Sequence, residues 1–106
     1  MKKKNKTVNL SLQVVPINES NAYPIIDEAI KVIQNAGIKH EVQPFSTIME
    51  GELEELLKIV VEAKNAALSA GADELLLNIQ VHLKKEQSVA FKDKTQKYHV
   101  NLKDTF

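Results

Sequence analysis

From Val8 to Val15 the apolar and polar positions alternate. Leu10, Leu12 and Val14 fall on one side, and Asn9, Ser11, Gln13 and Val15 on the other. Period two predicts a strand with one apolar face. Pro16, which has no N–H to give a ladder, ends it. After a polar stretch from Asn18 to Asn21 the period changes. Ile25, Ile26, Ala29, Ile30, Ile33 and Ala36 recur at helical spacing, and Pro24 suits a first turn. Gly37 can adopt the left-handed conformation that closes a helix. The expected helix runs from about Asn21 to Ala36, with Asp27 and Glu28 near the positive end of its dipole.

Ile38 to Phe45 reads as a strand with an irregular end at Pro44, and Thr47 to Glu50 as a short strand joined to it by a hairpin. Leu53, Leu56, Leu57, Val60, Ala63, Ala67 and Ala70 then mark the apolar stripe of a second helix, closed by Gly71. Glu50, Glu52, Glu54 and Glu55 cluster at its expected start, where acidic groups favour the dipole. In the last strand, Glu74 to Leu83, Leu75, Leu77, Ile79 and Val81 alternate with Leu76, Asn78, Gln80 and His82. The order is β-α-β-β-α-β, and both helices end alike, in Asn35-Ala36-Gly37 and Ser69-Ala70-Gly71. Split β-α-β units build a ferredoxin-like sandwich of the α+β class. Its two helices cover one face of a four-stranded antiparallel sheet in spatial order 4-1-3-2. Past Leu83 the chain turns polar, and Ser88 could cap a short helix carrying Val89, Phe91, Lys94 and Tyr98. The expected division is an unstructured basic lead over 1–7, a folded domain over 8–83 and a tail over 84–106.

Composition narrows the functional classes. The 106 residues carry a net charge of zero, with fourteen Lys and no Arg. Nucleic-acid binding draws most of its affinity from cationic contacts to phosphates, so it is not expected here. The chain has no Cys, which removes disulfides, thiolate metal sites and a Cys nucleophile. His40, His82 and His99 lack metal-ligand spacing, and the three glycines form neither a P-loop nor a dinucleotide fingerprint. No acid, base and nucleophile set converges, so no metal, cofactor or catalytic activity is expected. No apolar run reaches the length of about 20 residues that a membrane span needs, which points to a cytoplasmic protein.

Two helices leave the other sheet face uncovered. There Ser11 and Gln13 should neighbour Asn78, Gln80 and His82, side chains that donate and accept hydrogen bonds without fixed charge. Such a face is either solvated, the floor of a ligand site, or a wet contact between sheets; Leu76 and Val15 on it favour burial by a partner. Glu50 stands apart among the carboxylates, in Thr47-Ile48-Met49-Glu50-Gly51-Glu52 where strand passes into helix. It serves either the helix dipole or a ligand's ring nitrogen, with Gly51 permitting an unusual backbone angle or a close approach.

The blocks Val14-Val15-Pro16, Glu28-Ala29-Ile30-Lys31-Val32-Ile33 and Thr47-Ile48-Met49-Glu50-Gly51-Glu52 resemble the small thiamine-binding protein family, YkoF-like in fold, over about Val8 to Leu83. The resemblance implies a ferredoxin-like subunit that assembles through its sheets into dimers or tetramers. It also implies binding of thiamine, or of its hydroxymethylpyrimidine part, without catalysis. The matching positions are Gln13, Thr47, Glu50 and Asn78. Gln13 and Asn78 are amides where some relatives carry smaller hydroxyl residues. An aminopyrimidine offers an amine donor beside ring-nitrogen acceptors, which side-chain amides and a carboxylate can satisfy. Phe45 or Met49 could supply an apolar wall, against ordinary core packing for both. The rival expectation is a regulatory module that docks on another protein through the uncovered sheet face, with no small ligand.

Overall fold

The computed structural model describes residues 6–91. Its elements are β1 (Val8–Pro16), α1 (Tyr23–Asn35), β2 (Lys39–Val42), β3 (Thr47–Gly51), α2 (Leu53–Ser69) and β4 (Leu75–His82). The strands form one antiparallel sheet in the order β2-β3-β1-β4, the expected arrangement. The α+β ferredoxin-like architecture follows from the alternation in β1. Val8, Leu10 and Leu12 point to the helices and are buried, and so is Met49, which lies opposite Leu10 on β3. Leu10, Ile33, Met49 and Leu56 are the largest fully buried side chains, each contributing about 1.5–3 kcal/mol. Met49 is therefore core. Leu56, Ile59, Val60, Ala63 and Ala67 press α2 onto the sheet, and Ile25, Ala29 and Ile33 do the same for α1.

Gly37 and Gly71 take positive φ, 77° and 120°, at the two helix ends. Gly51 acts through its size instead. A Cβ there would lie 3.2 Å from Leu56 Cδ2, so its absence lets the first turn of α2 fold back on β3. That is the close approach, without the unusual backbone angle.

Several boundaries differ from expectation for physical reasons. α1 starts at Tyr23 with Pro24 in its first turn, and no acidic residue falls in that turn. Asp27 and Glu28 lie one turn further along; Glu28 accepts a hydrogen bond from Lys31 at 2.9 Å, which holds the Lys31 pKa above its ordinary value. Glu50 belongs to β3, and the acidic residues in the first turn of α2 are Glu54 and Glu55. β2 stops at Val42 because Gln43–Ser46 is a turn, closed by the Gln43 amide donating to the Ser46 carbonyl at 2.8 Å. Ile79 and Val81 face the helix side, yet are 41% and 39% exposed, because β4 is an edge strand whose one neighbour in the sheet is β1.

The lead over 1–7 falls, apart from Lys6 and Thr7, outside the described residues, and so does the tail helix beyond Phe91. Thr7 is tied down: its amide donates to Ser88 Oγ at 3.0 Å, and the Val89 amide donates to its carbonyl at 3.0 Å. Among the described residues no helix is long and apolar enough to cross a membrane, and no group of three or more acidic or histidine side chains could hold a metal ion.

Candidate functional site

The register sorts the expected site residues onto different surfaces. Leu12 lies opposite Thr47 on β3, and Leu12 points to the helices, so Thr47 does too; it is 5% exposed. Glu50, an odd number of positions along the same strand, points to the outer face and pairs with Asn9. Gln13 and Asn78 are partners across β1 and β4, also on the outer face, with Asn78 Nδ2 donating to Gln13 Oε1 at 2.8 Å. Gln13 and Asn9 sit at opposite ends of that face, about 13 Å apart along the strand.

A cavity of about 280 Å³ opens between α1 and the end of the sheet. Ile26, Ala29, Ile30 and Ile33 of α1 form its apolar roof, and Leu12 and Val14 part of its floor. Its polar groups come from Thr47 and the β2–β3 turn, where Gln43 and Ser46 join Phe45 at the rim; Gln13 borders it from β1 with its side chain on the outer face. Phe45 is 82% exposed, far more than core packing allows. A mostly apolar cleft with a few convergent polar groups is what a small organic ligand needs. The same turn borders a shallower hollow on the outer face, lined by Ser11, Gln13, Phe45, Ser46, Asn78 and Gln80. Gln13 and Phe45 thus stand on the ridge shared by both. Thr47 belongs to the inner cavity, Asn78 to the outer hollow, and Glu50 to neither.

Glu50 is engaged elsewhere. Its Oε1 accepts the Phe91 amide at 2.9 Å and lies 3.8 Å from Lys39 Nζ, which sits 5.3 Å above the Phe91 ring centre. The segment carrying Phe91 crosses this end of the outer face. Val89 is buried to 2% exposure, and its carbonyl accepts a hydrogen bond from Asn9 Nδ2 at 3.2 Å. Asn9 itself is 4% exposed, and its Oδ1 has no hydrogen-bond partner among the described residues. Neither Asn9 nor Val89 stands out as a functional position in the sequence. Their signal is weak: a polar residue on a nominally open face, and a lone apolar residue in a polar tail.

Comparison with known proteins places this geometry in context. A family profile described as "Thiamine-binding protein" matches residues 10–99. A UPF0045 protein of Clostridium perfringens is 34% identical over 93 residues, covering 87% of this chain and 97% of its own. Among solved structures, a domain of unknown function from Bacillus cereus is 36% identical with a TM-score of 0.83, covering 88% of this chain and 90% of that one. A protein of Thermotoga maritima assigned provisionally to thiamine biosynthesis or salvage is 32% identical with a TM-score of 0.78, covering 87% and 98%. With the fold, the strand register and a profile match over most of its length in agreement, this chain belongs to the thiamine-binding protein family.

Proposed function

We propose that this protein binds thiamine, or its hydroxymethylpyrimidine part, without turning it over, as a carrier, buffer or sensor in the cytoplasm. The observation that carries the reading is the cavity under α1, with its apolar roof and the polar groups of Thr47 and the β2–β3 turn. A cavity of this size suits one heterocyclic ring. Because Asn78 donates to Gln13 Oε1, the Gln13 amide hydrogens are left for an acceptor such as a ring nitrogen. In this reading Thr47 contacts the pyrimidine inside the cavity, Gln13 meets its outer edge at the shared ridge, and Phe45 closes over it. Asn78 positions Gln13. Glu50 reaches no ligand in the cavity, and its carboxylate secures the tail segment. The expected oligomer, in which the outer face of one copy packs on that of another, uses the amide-rich surface around Gln13, Asn78 and Gln80.

Thermal unfolding with thiamine, thiamine phosphates and hydroxymethylpyrimidine, at fixed protein concentration, tests the reading. Ligand at about 100 times its dissociation constant adds about 2.7 kcal/mol. Each kcal/mol moves the midpoint of a domain this small by roughly 4–8 °C. A rise with the pyrimidine alone places recognition on that ring. A rise with intact thiamine only gives the thiazolium the main role. No rise at millimolar ligand sinks the reading and favours a protein-docking module.

A further inference from the structure

Two aromatic side chains stand out into solvent at one place in the fold. Tyr23 is 76% exposed and Phe45 more so, well above every other large hydrophobic residue among those described. Both belong to the mouth of the cavity under α1. Ile26, Ile30 and Ile33 form its roof along one stripe of the helix, and Tyr23 begins that stripe. It lies seven residues before Ile30, which sets the two within about 20° of each other around the helix axis. Its neighbour Ala22 lines the cavity, so Tyr23 carries the roof one step beyond the enclosed space. Phe45 rises from the β2–β3 turn at the rim. The mouth is thus framed by two rings with most of their area still free to bury against a guest.

Size and charge identify the guest. The cavity suits one heterocyclic ring. Thiamine has two, joined by a single methylene, so the second ring must leave through the mouth. No charged side chain among the described residues lines the cavity, and a fixed cation inside it would lose its water without gaining a counter-charge. The neutral pyrimidine therefore goes in and the thiazolium stays at the mouth. The segments that border the mouth, 14–27 and 41–47, carry Glu19, Asp27 and Glu41 and no Lys. Most of the fourteen Lys lie outside 8–83 and most of the acidic residues within it, so the field of the domain draws cations in. We propose that Tyr23 and Phe45 hold the thiazolium of intact thiamine against their ring faces, by cation–π attraction, and make the site selective for the whole cation over its pyrimidine part. The inference rests on the thiamine reading and assigns Tyr23, which that reading leaves without a role.

The test is calorimetric titration of the full chain with thiamine, hydroxymethylpyrimidine and deazathiamine, whose neutral thiophene replaces the thiazolium at nearly unchanged shape. Thiamine is expected to bind about tenfold tighter than either of the others. Tyr23→Leu should cut the preference for thiamine over hydroxymethylpyrimidine by about tenfold, and Tyr23→Phe, which keeps the ring, should retain it. Phe45→Leu should weaken both ligands, thiamine the more. Neither side chain is buried, so each variant should unfold without ligand at the wild-type midpoint. Deazathiamine bound as tightly as thiamine would overturn the proposal, and so would a Tyr23→Leu variant that keeps the wild-type preference. A wild type that binds hydroxymethylpyrimidine as tightly as thiamine would also overturn it, while leaving the cavity reading standing. Binding of none of the three at millimolar concentration would sink both together.

Discussion

The outer face of the sheet has two ends built from one alternating pattern. At the Asn9 end the chain returns as Ser88–Phe91 and covers it, so Asn9 is buried, Glu50 is held by the Phe91 amide, and Val89 acts as a core residue. At the Gln13 end nothing among the described residues covers the sheet. There Asn78 Nδ2 donates to Gln13 Oε1 beside the exposed Phe45. Polar residues on a sheet face therefore take their role from what crosses them. One end spends its hydrogen-bonding groups on holding the fold, and the other leaves them at the surface.

Four substitutions break or sharpen that contrast. Val89→Asp should have the largest effect, because a carboxylate cannot stay in the Val89 site and the whole strap must lift. The expected loss is about 3 kcal/mol, the sum of one buried Val and its hydrogen bonds, read by denaturant unfolding. Next is Gln13→Leu, which should lower pyrimidine affinity about tenfold in calorimetric titration while leaving the unfolding midpoint within roughly a degree. An equal loss of stability would show that the open end also holds the fold. Asn9→Ala should cost about 1 kcal/mol: it frees the Val89 carbonyl but also removes Asn9 Oδ1, a buried acceptor with no partner among the described residues, so the two effects partly cancel. The smallest effect is expected from Glu50→Gln, which keeps an acceptor for the Phe91 amide and loses only its charge. It should cost about 0.5 kcal/mol and leave thiamine affinity unchanged. A tenfold weaker affinity in that variant would return Glu50 to the site.

Much of the architecture is legible in the residues because periodicity and helix-stop glycines are local signals. Leu10, Leu12 and Val14 define the buried face of β1, and Gly37 and Gly71 end the helices without reference to anything distant. The site is less legible, for two reasons. One was available: Thr47 and Glu50 are an odd number of positions apart in a strand, so they cannot share a face, however alike their motif looks. The other was not. That Glu50 meets Phe91, and Asn9 meets Val89, depends on the path taken after Leu83, where the sequence has no period to read. Edge character is similarly non-local. Ile79 and Val81 look like core until the strand order leaves β4 with one neighbour.

The bonds between Thr7 and Val89 span 82 residues, yet their place in folding is set by a much shorter distance. In the unfolded chain they would close a loop of nearly the whole described length. Once β1 and β4 have paired, only the few residues from His82 to Val89 remain to be closed, and the entropic cost falls by roughly 2 kcal/mol. The strap therefore cannot lead folding. It forms after the most distant strands have met, and its Val89 amide proton becomes a timer: its protection from exchange dates the moment when the sheet is complete.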